Sequence, residues 1–339
     1  MASSRRQFFR TSFGGAALTT LAAEAMAQQP GDGVPTRKLG RTDQQVSVLG
    51  LGGAHIGILG RKKDEKEAIR VMHAAIDEGV TFFDNAWTYN GGYSEEVMGK
   101  ALKGGKRRKV FLMTKNSGRD YKFARKCLED SLRRLQTDYL DLWQFHEINY
   151  DNDPDWVFDR GGLKAALEAQ KEGKVRFIGF TGHKDPRIHL KMLNKGYDWA
   201  TAQMPINVMD YFYRSFQKEV VPVCLNRNVG VIGMKSLGGG NVNQGAIPAN
   251  TSLTPADCLR FALNLPITCV VRGWVSAEQM MADVRTAREF KPLSAAEKAR
   301  ILALAEPVAG DGRYERFKST QQYDDRLYRE MHGFPLLRR

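Results

Sequence analysis

From residue 46 onward, short apolar runs alternate with amphipathic stretches, and this alternation predicts repeated strand–helix units. One such stretch, "DEKEAIRVMHAAIDEG" (64–79), places Ile69, Met72, His73 and Ile76 on one helical face. The apolar runs predict eight strands, at residues 46–53, 81–86, 110–116, 139–148, 175–183, 199–207, 230–236 and 268–274.

Eight units without an internal Pro/Ser-rich linker predict an α/β fold, a closed (β/α)8 TIM barrel over residues 36–292. An N-terminal hairpin at the barrel floor precedes it, and a C-terminal extra helix and tail follow over residues 293–339. The alternative is an open doubly wound sheet, because "GLGGAHIG" (50–57) resembles a nucleotide-binding turn. However, "RKKD" (61–64) separates this segment from the next predicted helix, so we interpret Gly53 and its neighbours as a close backbone approach at the barrel mouth.

The N-terminal segment has the layout of an export signal. Arg5 and Arg6 precede Phe8, a weakly apolar stretch and the small-residue exit Ala25-Met26-Ala27. This pattern predicts a twin-arginine signal peptide at 1–27, cleavage after Ala27, a linker at 28–35 and a periplasmic protein handled by the twin-arginine export machinery. The apolar stretch is too short for stable membrane insertion.

Motif content and cysteine spacing argue against two functional classes, nucleic-acid-binding proteins and metalloproteins. The formal net charge is +13, but no nucleic-acid-binding motif accompanies it, so no nucleic-acid partner is expected. The four cysteines form no C-x-x-C and have no paired histidine spacing, and no metal site is expected. Their disulfide status stays open; they are Cys127, Cys224, Cys258 and Cys269.

Three polar residues lie near the ends of consecutive predicted strands. Lys115 stands 31 residues after Asp84, and His146 stands 31 residues after Lys115, which is one strand–helix unit each time. In a barrel these positions share the carboxyl-end mouth, where active sites are found. Tyr89 is expected on the loop above Asp84.

These four residue types suit protonation of an oxygen atom. A half-buried carboxylate and ammonium must pair, and an ammonium beside a tyrosine is expected to lower the pKa of its hydroxyl, making Tyr89 a usable general acid. A neutral histidine can orient a carbonyl oxygen. Taken singly, a buried Asp–Lys pair can be purely structural, and a histidine at a strand end can be a hydrogen-bonded core residue. The meeting of all four residues at one mouth is what favours a catalytic role.

Three segments resemble landmarks of the aldo-keto reductase superfamily: "GVTFFDNAWTYNGGYSEEVMGKAL" (79–102), "VFLMTK" (110–115) and "YLDLWQFHEI" (139–148). The resemblance implies that Asp84, Tyr89, Lys115 and His146 form the catalytic tetrad. It also implies a nicotinamide cofactor, NADP(H) or NAD(H), and an aldehyde or ketone reduced to an alcohol.

The resemblance also implies cofactor contacts. Thr181 and His183 stand where many members have Ser-Asn, Met234 stands where many have a ring-stacking Tyr, and Asp283 replaces a usual Asn. NAD(H) and NADP(H) therefore both stay open. The implied cofactor-binding residues are Gly53, Thr181, His183, Gln203, Met234, Lys235, Leu237, Gly238, Gly239, Arg272, Gln279 and Asp283.

For the substrate pocket we expect His55, Trp87 and Asn207, with Tyr211 and Phe212 as further candidates. The main hypothesis is a carbonyl reductase. The alternative is a nicotinamide-binding sensor or assembly protein with little turnover. A metal-dependent barrel hydrolase is disfavoured by the missing H-x-H and carboxylate ligand pattern. The sequence leaves the particular substrate, the physiological direction and the oligomeric state open.

Overall fold

Eight parallel strands close into a barrel in the computed structural model, which describes residues 33–62, 64–240 and 244–336. The chain order of the strands is also their order around the barrel, and the last strand pairs with the first. The predicted TIM barrel is confirmed, and the open-sheet alternative is wrong. The barrel strands are β3 (Leu49–Gly52), β4 (Phe82–Asp84), β5 (Phe111–Asn116), β6 (Leu140–Phe145), β7 (Val175–Thr181), β8 (Thr201–Pro205), β9 (Gly230–Met234) and β10 (Cys269–Arg272).

Helices connect these strands and cover the barrel. Several begin at a residue whose side chain accepts a hydrogen bond from the first turn, as Asp120 does from the backbone N–H of Phe123. The helices are α1 (Gly53–Lys62), α2 (Glu65–Asp77), α3 (Tyr93–Ala101), α4 (Tyr121–Leu135), α5 (Asp153–Asp159), α6 (Gly162–Lys171), α7 (Pro186–Leu193), α8 (Phe216–Glu219), α9 (Val221–Asn226), α10 (Ala246–Asn250), α11 (Pro255–Leu263), α12 (Ala277–Arg288), α13 (Ala295–Ala309), α14 (Arg316–Ser319) and α15 (Arg326–Met331).

A two-stranded hairpin, β1 (Thr36–Lys38) and β2 (Gln45–Ser47), closes the amino-terminal floor of the barrel. Leu39 and Val46 pack with barrel residues in one buried cluster. The guanidinium of Arg37 donates to the backbone oxygens of Leu263, Leu265 and Ile267. Apolar packing and hydrogen bonds therefore fix the hairpin to the barrel floor, where the sequence led us to expect it.

The glycine-rich segment after β3 differs from the expectation, because α1 begins directly at Gly53 rather than after "RKKD". The close backbone approach is nevertheless present. A Cβ on Gly57 would meet the Asn90 amide nitrogen at 2.2 Å, and one on Gly53 would meet the Asp84 carbonyl oxygen at 2.8 Å. Small residues let α1 pack against the loop above β4.

The C-terminal tail, defined here as residues 310–336, crosses the carboxyl-end mouth of the barrel. Its helices α14 and α15 contribute the buried residues Phe317, Lys318, Tyr328 and Arg329. The tail was expected only as an irregular appendage, and its contacts with the mouth are described below. None of the helices in the described part of the chain is both long and apolar enough to cross a membrane.

The N-terminal expectations fall mostly outside the described residues. The predicted signal peptide at 1–27 and the first part of the linker at 28–35 precede residue 33, where the description begins. The four cysteines are all buried and none is in a disulfide in the described chain.

Candidate active site

The four tetrad candidates meet at the carboxyl ends of three adjacent strands. Asp84 is the last residue of β4, Lys115 lies in β5, and His146 directly follows β6. Parallel pairing sets Asp84 beside Met113, and Lys115 beside Gln144. Tyr89 begins a short 3-10 turn above β4.

The Lys115 ammonium is the centre of this group. Its Nζ lies 2.6 Å from Asp84 Oδ1 and donates to the Asn85 carbonyl oxygen at 2.8 Å and to the Tyr89 hydroxyl at 3.2 Å. Both members of the ion pair are buried. A buried charge needs such a partner, and the pair fixes the Tyr89 hydroxyl at the mouth.

The loop that carries Tyr89 is held by α1. Asn90 adopts a left-handed backbone conformation (φ 54°), and its amide donates to the Ala54 carbonyl oxygen at 3.0 Å. Ser94 donates to the Gly53 carbonyl oxygen at 2.6 Å. The segments 53–62 and 89–94 therefore form one support for the tyrosine.

His146 lies beside Tyr89, with ring centroids 5.6 Å apart and an interplanar angle of 81°. Its Nδ1 is buried and has no hydrogen-bond partner among the described residues. On another side, Tyr328 of the tail contacts the imidazole edge-on at 5.6 Å. His146 is thus a buried ring between the candidate acid and the tail.

One electrostatic expectation needs correction. Burial, and then the charges of Asp84 and Glu147, raise the pKa of Tyr89 well above its usual value of 10, whereas we expected Lys115 to lower it. Burial is the larger influence because the phenolate would lose its hydration. Burial and the charge of Lys115 lower the pKa of His146 well below its usual value, so the imidazole is neutral.

A cavity of about 270 Å³ opens at the mouth beside this group. It adjoins Asp84 and Tyr89 and extends between the ends of β3, β8, β9 and β10. Of the candidates named from the sequence, the cavity is lined by Asp84, Tyr89, Gln203, Met234, Lys235, Leu237, Gly239, Arg272 and His55.

Gln203 in β8 carries the strongest sign of a missing partner. Its amide nitrogen donates to Asp84 Oδ2 at 2.8 Å, which fixes the orientation of the side chain. Its Oε1 is buried and receives no hydrogen bond from the described residues. An orphaned buried acceptor on a cavity wall fits a ligand that donates an N–H there, such as a carboxamide.

The loop after β9 supplies a backbone cradle. Lys235 has a positive φ of 59°, and Gly238, Gly239 and Gly240 all have φ between 72° and 85°. Residues other than glycine rarely adopt a positive φ without backbone strain. The turn leaves backbone groups near the mouth, an arrangement suited to a phosphate-bearing ligand.

Arg272 and Asp283 bind one another at the other side of the cavity. Two guanidinium nitrogens of Arg272 lie 2.8 and 3.2 Å from the two Asp283 carboxylate oxygens, and Trp274 also donates to Asp283 at 2.7 Å. A third Arg272 nitrogen donates to the Ser236 hydroxyl. The charge of Arg272 is therefore compensated within the protein.

Six of the cofactor candidates do not line the cavity within the described chain: Gly53, Thr181, His183, Gly238, Gln279 and Asp283. His183 is buried, and its Nδ1 lies 3.1 Å from the Phe317 carbonyl oxygen of the tail. Gln279 accepts from the Val275 N–H at the start of α12.

The expected positions of Trp87 and Asn207 also need correction. Trp87 packs edge-on against Phe123 of α4 and donates to Asp130 at 3.1 Å, on the outside of the barrel. The Asn207 amide donates to Glu315 of the tail at 2.9 Å. Neither residue lines the cavity, because each is bound to a neighbouring element that the sequence pattern did not place there.

The tail contributes contacts at the mouth that sequence reasoning missed. Tyr328 donates to the Ser117 hydroxyl at 2.8 Å, and Tyr323, which lines the cavity, accepts from the Gly240 N–H at 2.8 Å. Lys184, after β7, lies 2.8 Å from Asp324. Only the aromatic residues clustered after residue 313 signalled that this segment could pack, since the contacts span more than 80 residues of sequence.

The closed barrel, with an Asp–Lys–Tyr–His group at its mouth and a cavity beside it, defines the class as a barrel oxidoreductase. Comparison with known proteins identifies the family. The model of the aldo/keto reductase family matches residues 48–252, and the chain belongs to that family.

Individual relatives are consistent with this assignment. Uncharacterized oxidoreductase YrpG of Bacillus subtilis is 33% identical over 244 residues, covering 64% of this chain and 71% of the relative. L-galactose dehydrogenase of Arabidopsis thaliana is 26% identical over 311 residues, covering 81% and 95%. The structure of aldo-keto reductase AKR11C1 from Bacillus halodurans (holo form) matches with a TM-score of 0.66 and 26% identity, covering 83% of this chain and 99% of the other.

Proposed function

We propose that the protein is an NAD(P)H-dependent oxidoreductase that reduces an aldehyde or ketone to an alcohol. The single observation that carries the proposal is the Tyr89 hydroxyl, held 3.2 Å from the Lys115 ammonium on the wall of the mouth cavity. A hydroxyl fixed in this way can give a proton to a carbonyl oxygen that becomes negatively charged in the reaction.

Each tetrad residue has a distinct part in the proposed reaction. Tyr89 gives its proton to the carbonyl oxygen, and its raised pKa keeps that proton in place before the reaction. Lys115 orients the hydroxyl and stabilises the phenolate that forms, while Asp84 holds Lys115. Neutral His146, lying beside Tyr89, orients the substrate oxygen.

The cavity residues fit a nicotinamide nucleotide. The unpartnered Gln203 Oε1 would accept from the carboxamide, and Met234 would pack against the ring. The backbone of Leu237 and Gly239 and the Lys235 ammonium would hold the pyrophosphate, and Gly238 would give the turn its shape. When bound, the nucleotide supplies the hydride. The contacts of Gly53, Thr181, His183, Gln279 and Asp283 remain sequence-based proposals.

The test is a steady-state assay of the full chain with a panel of aldehydes and ketones and with both nucleotides. Tyr89→Phe should lower kcat by about 10²–10⁴-fold, the contribution of a positioned general acid. Tyr93→Phe is the matched control, since Tyr93 lies four residues further on and its hydroxyl binds Glu65 instead. Equal activity of wild type and Tyr89→Phe would overturn the role of Tyr89.

One observation favours the alternative, a nicotinamide-binding sensor with little turnover. The side of His146 next to Tyr328 is covered by the tail, and the imidazole is 6% exposed. His146 does not line the mouth cavity in the described chain, so a carbonyl in that cavity would contact Tyr89 without contacting His146. Tight nucleotide binding with negligible turnover on every carbonyl, in the full chain and in Tyr328→Ala alike, would favour the sensor.

We also propose export by the twin-arginine route, on the pattern of residues 1–27 alone. That route carries folded proteins, which suits an enzyme that acquires its nucleotide in the cytoplasm. Replacing Arg5 and Arg6 with lysine should retain the protein inside the cell, as measured by fractionation. Unchanged export of that variant would contradict the proposal.

A further inference from the structure

We propose that Glu147, His183 and Asp324 form a binding site for one divalent transition-metal ion at the barrel mouth. The three residues come from the end of β6, the end of β7 and the tail. A ring nitrogen of His183 and one carboxylate oxygen from each acid all lie within 4.8 Å of one another, and all three residues are buried. A single ion can therefore contact all three, and none of the three residues belongs to the tetrad.

His183 is prepared as a ligand by its hydrogen bond to the tail. Its Nδ1 lies 3.1 Å from the Phe317 carbonyl oxygen, and because a carbonyl only accepts, Nδ1 must carry the proton. The lone pair is then on Nε2. An imidazole that donates one N–H to a carbonyl and offers the other nitrogen is the usual arrangement of a metal-binding histidine.

Glu147 is a largely buried residue with little hydrogen bonding of its own. Its side chain is 7% exposed, and its one hydrogen bond with the described residues is a 3.3 Å contact from Asn149 to Oε2. Oε1 receives none. Arg119 makes no hydrogen bond to this carboxyl group: it donates to the backbone oxygens of His146 and Glu147 and pairs with Asp153. The carboxyl group therefore has an oxygen that the described residues leave available to a metal ion.

Asp324 is the third ligand and the link to the tail. The Tyr150 hydroxyl donates to its Oδ2 and orients the carboxylate, as outer-shell partners of metal ligands do. Lys184 lies 2.8 Å from Oδ1 but also donates to the Thr320 carbonyl oxygen at 2.7 Å. Lys184 can therefore keep a hydrogen bond when an ion takes its place beside Asp324.

The donor set narrows the class of ion. One imidazole and two carboxylates suit Mn²⁺, Fe²⁺ and Zn²⁺, with water completing the coordination. The ion would fasten the tail to the barrel next to His146. This metal contact replaces the cofactor contact proposed from the sequence for His183, and the nicotinamide carboxamide is left to Gln203. The inference does not depend on the proposed reduction, since metal binding is measured without turnover.

The experiment uses the full chain, freed of metal with a chelator and then titrated with Mn²⁺ alone. Electron paramagnetic resonance of free Mn²⁺ should show one equivalent bound, and Zn²⁺ should displace it. Glu147→Gln, nearly identical in shape, should bind at least 10-fold more weakly, the range expected when a metal-site contact is lost. Asp325→Asn is the matched control: it changes the neighbouring carboxylate, keeps a good helix N-cap for α15 and should bind normally.

Two outcomes would overturn the inference: no bound Mn²⁺ in the wild type, or equal binding by Glu147→Gln and the wild type. A second readout needs no variant. If the ion fastens the tail, saturating Mn²⁺ should slow proteolytic cleavage of residues 310–336 in the wild type by several-fold. An unchanged cleavage rate with Mn²⁺ present would count against Asp324 as a ligand.

Discussion

Two buried lysines, Lys115 and Lys318, form similar ion pairs with an aspartate in different surroundings. Lys115 lies 2.6 Å from Asp84 in the barrel mouth. Lys318, a residue of the tail, lies 2.6 Å from Asp210. Lys318 also contacts Glu315 at 3.0 Å and donates to the Tyr213 carbonyl oxygen, and all three charged side chains are sealed from solvent. Lys115 instead uses one hydrogen bond on a tyrosine hydroxyl that faces a cavity.

The difference lies in what surrounds each pair. Around Lys318 the contacts are all protein groups: two carboxylates, from Asp210 and Glu315, and the Tyr213 carbonyl oxygen. Around Lys115 and Asp84, Gln203 keeps an orphaned acceptor and His146 an orphaned nitrogen. Burial and charge alone therefore do not mark a functional lysine. What distinguishes the surroundings of Lys115 is the cavity that Tyr89 and Gln203 line.

Lys115→Met is expected to have the largest effect, because it affects both activity and stability. The Tyr89 hydroxyl loses its orientation and its phenolate loses its counter-charge, so kcat should fall by about 10²–10⁴-fold. Buried Asp84 also loses its cation, so the free energy of unfolding should fall. Steady-state kinetics and urea denaturation measure the two effects. A variant with normal kcat would remove the distinction between the two lysines.

Lys318→Met should mainly lower stability. It leaves Asp210 and Glu315 buried without their cation, which costs about 3–5 kcal/mol in the free energy of unfolding when one partner of a buried pair is removed. Urea denaturation followed by circular dichroism checks this. Arg326→Met, which breaks an exposed pair with Glu330, is the control and should change stability by less than about 1 kcal/mol. Equal losses of stability in Lys318→Met and Arg326→Met would contradict the conclusion that the buried Lys318 pair contributes more to stability than the exposed pair.

A third ion pair, Arg272–Asp283, allows a test of whether the Arg272 guanidinium can bind the nucleotide once Asp283 no longer neutralises it. Asp283→Asn should free the Arg272 guanidinium and lower the KM for NADPH relative to NADH by about 10-fold, which corresponds to about 1.4 kcal/mol. The ratio of the two KM values is the measurement. An unchanged ratio would mean that Arg272 does not reach the nucleotide ribose.

Tyr328→Phe tests the contact between the tail and the mouth. The change leaves the buried Ser117 hydroxyl without its 2.8 Å partner, so the free energy of unfolding should fall by about 1–2 kcal/mol. The ring still covers His146. Kinetics should therefore change less than in Tyr328→Ala, and the opposite order would show that the hydroxyl rather than the ring controls access.

The pH dependence gives the smallest expected change. Reduction needs the protonated form of Tyr89, and burial raises the pKa of this hydroxyl above its usual value of 10. On account of Tyr89, kcat/KM for reduction should therefore not decline as the pH rises from 7 to 9, and loss should begin only above about pH 10. A decline with a midpoint near pH 8 would indicate that Lys115 lowers the pKa after all.

Much of the fold was predictable because the periodicities that define it are local. Each barrel strand lies inside its predicted apolar run, although Val46 and Ser47 of the first run belong to β2. The proximity of the tetrad candidates was predictable because barrel closure brings consecutive strand ends to one mouth, so that equal spacing along the chain becomes proximity in space. Trp87 was misplaced because the pattern does not show which way a loop side chain turns.

By itself, then, the sequence determined the eight strand–helix units, the floor hairpin, the three polar residues at the strand ends and Tyr89 on the loop above β4. The tertiary structure alone decided that the tail crosses the mouth, that Arg272 is compensated by Asp283, and that Glu147, His183 and Asp324 converge. The physical reason is the separation along the chain over which each kind of interaction acts. Helix and strand periodicity act between near neighbours, whereas Asn207 meets Glu315 across 108 residues. Such contacts depend on how the whole barrel is packed and capped.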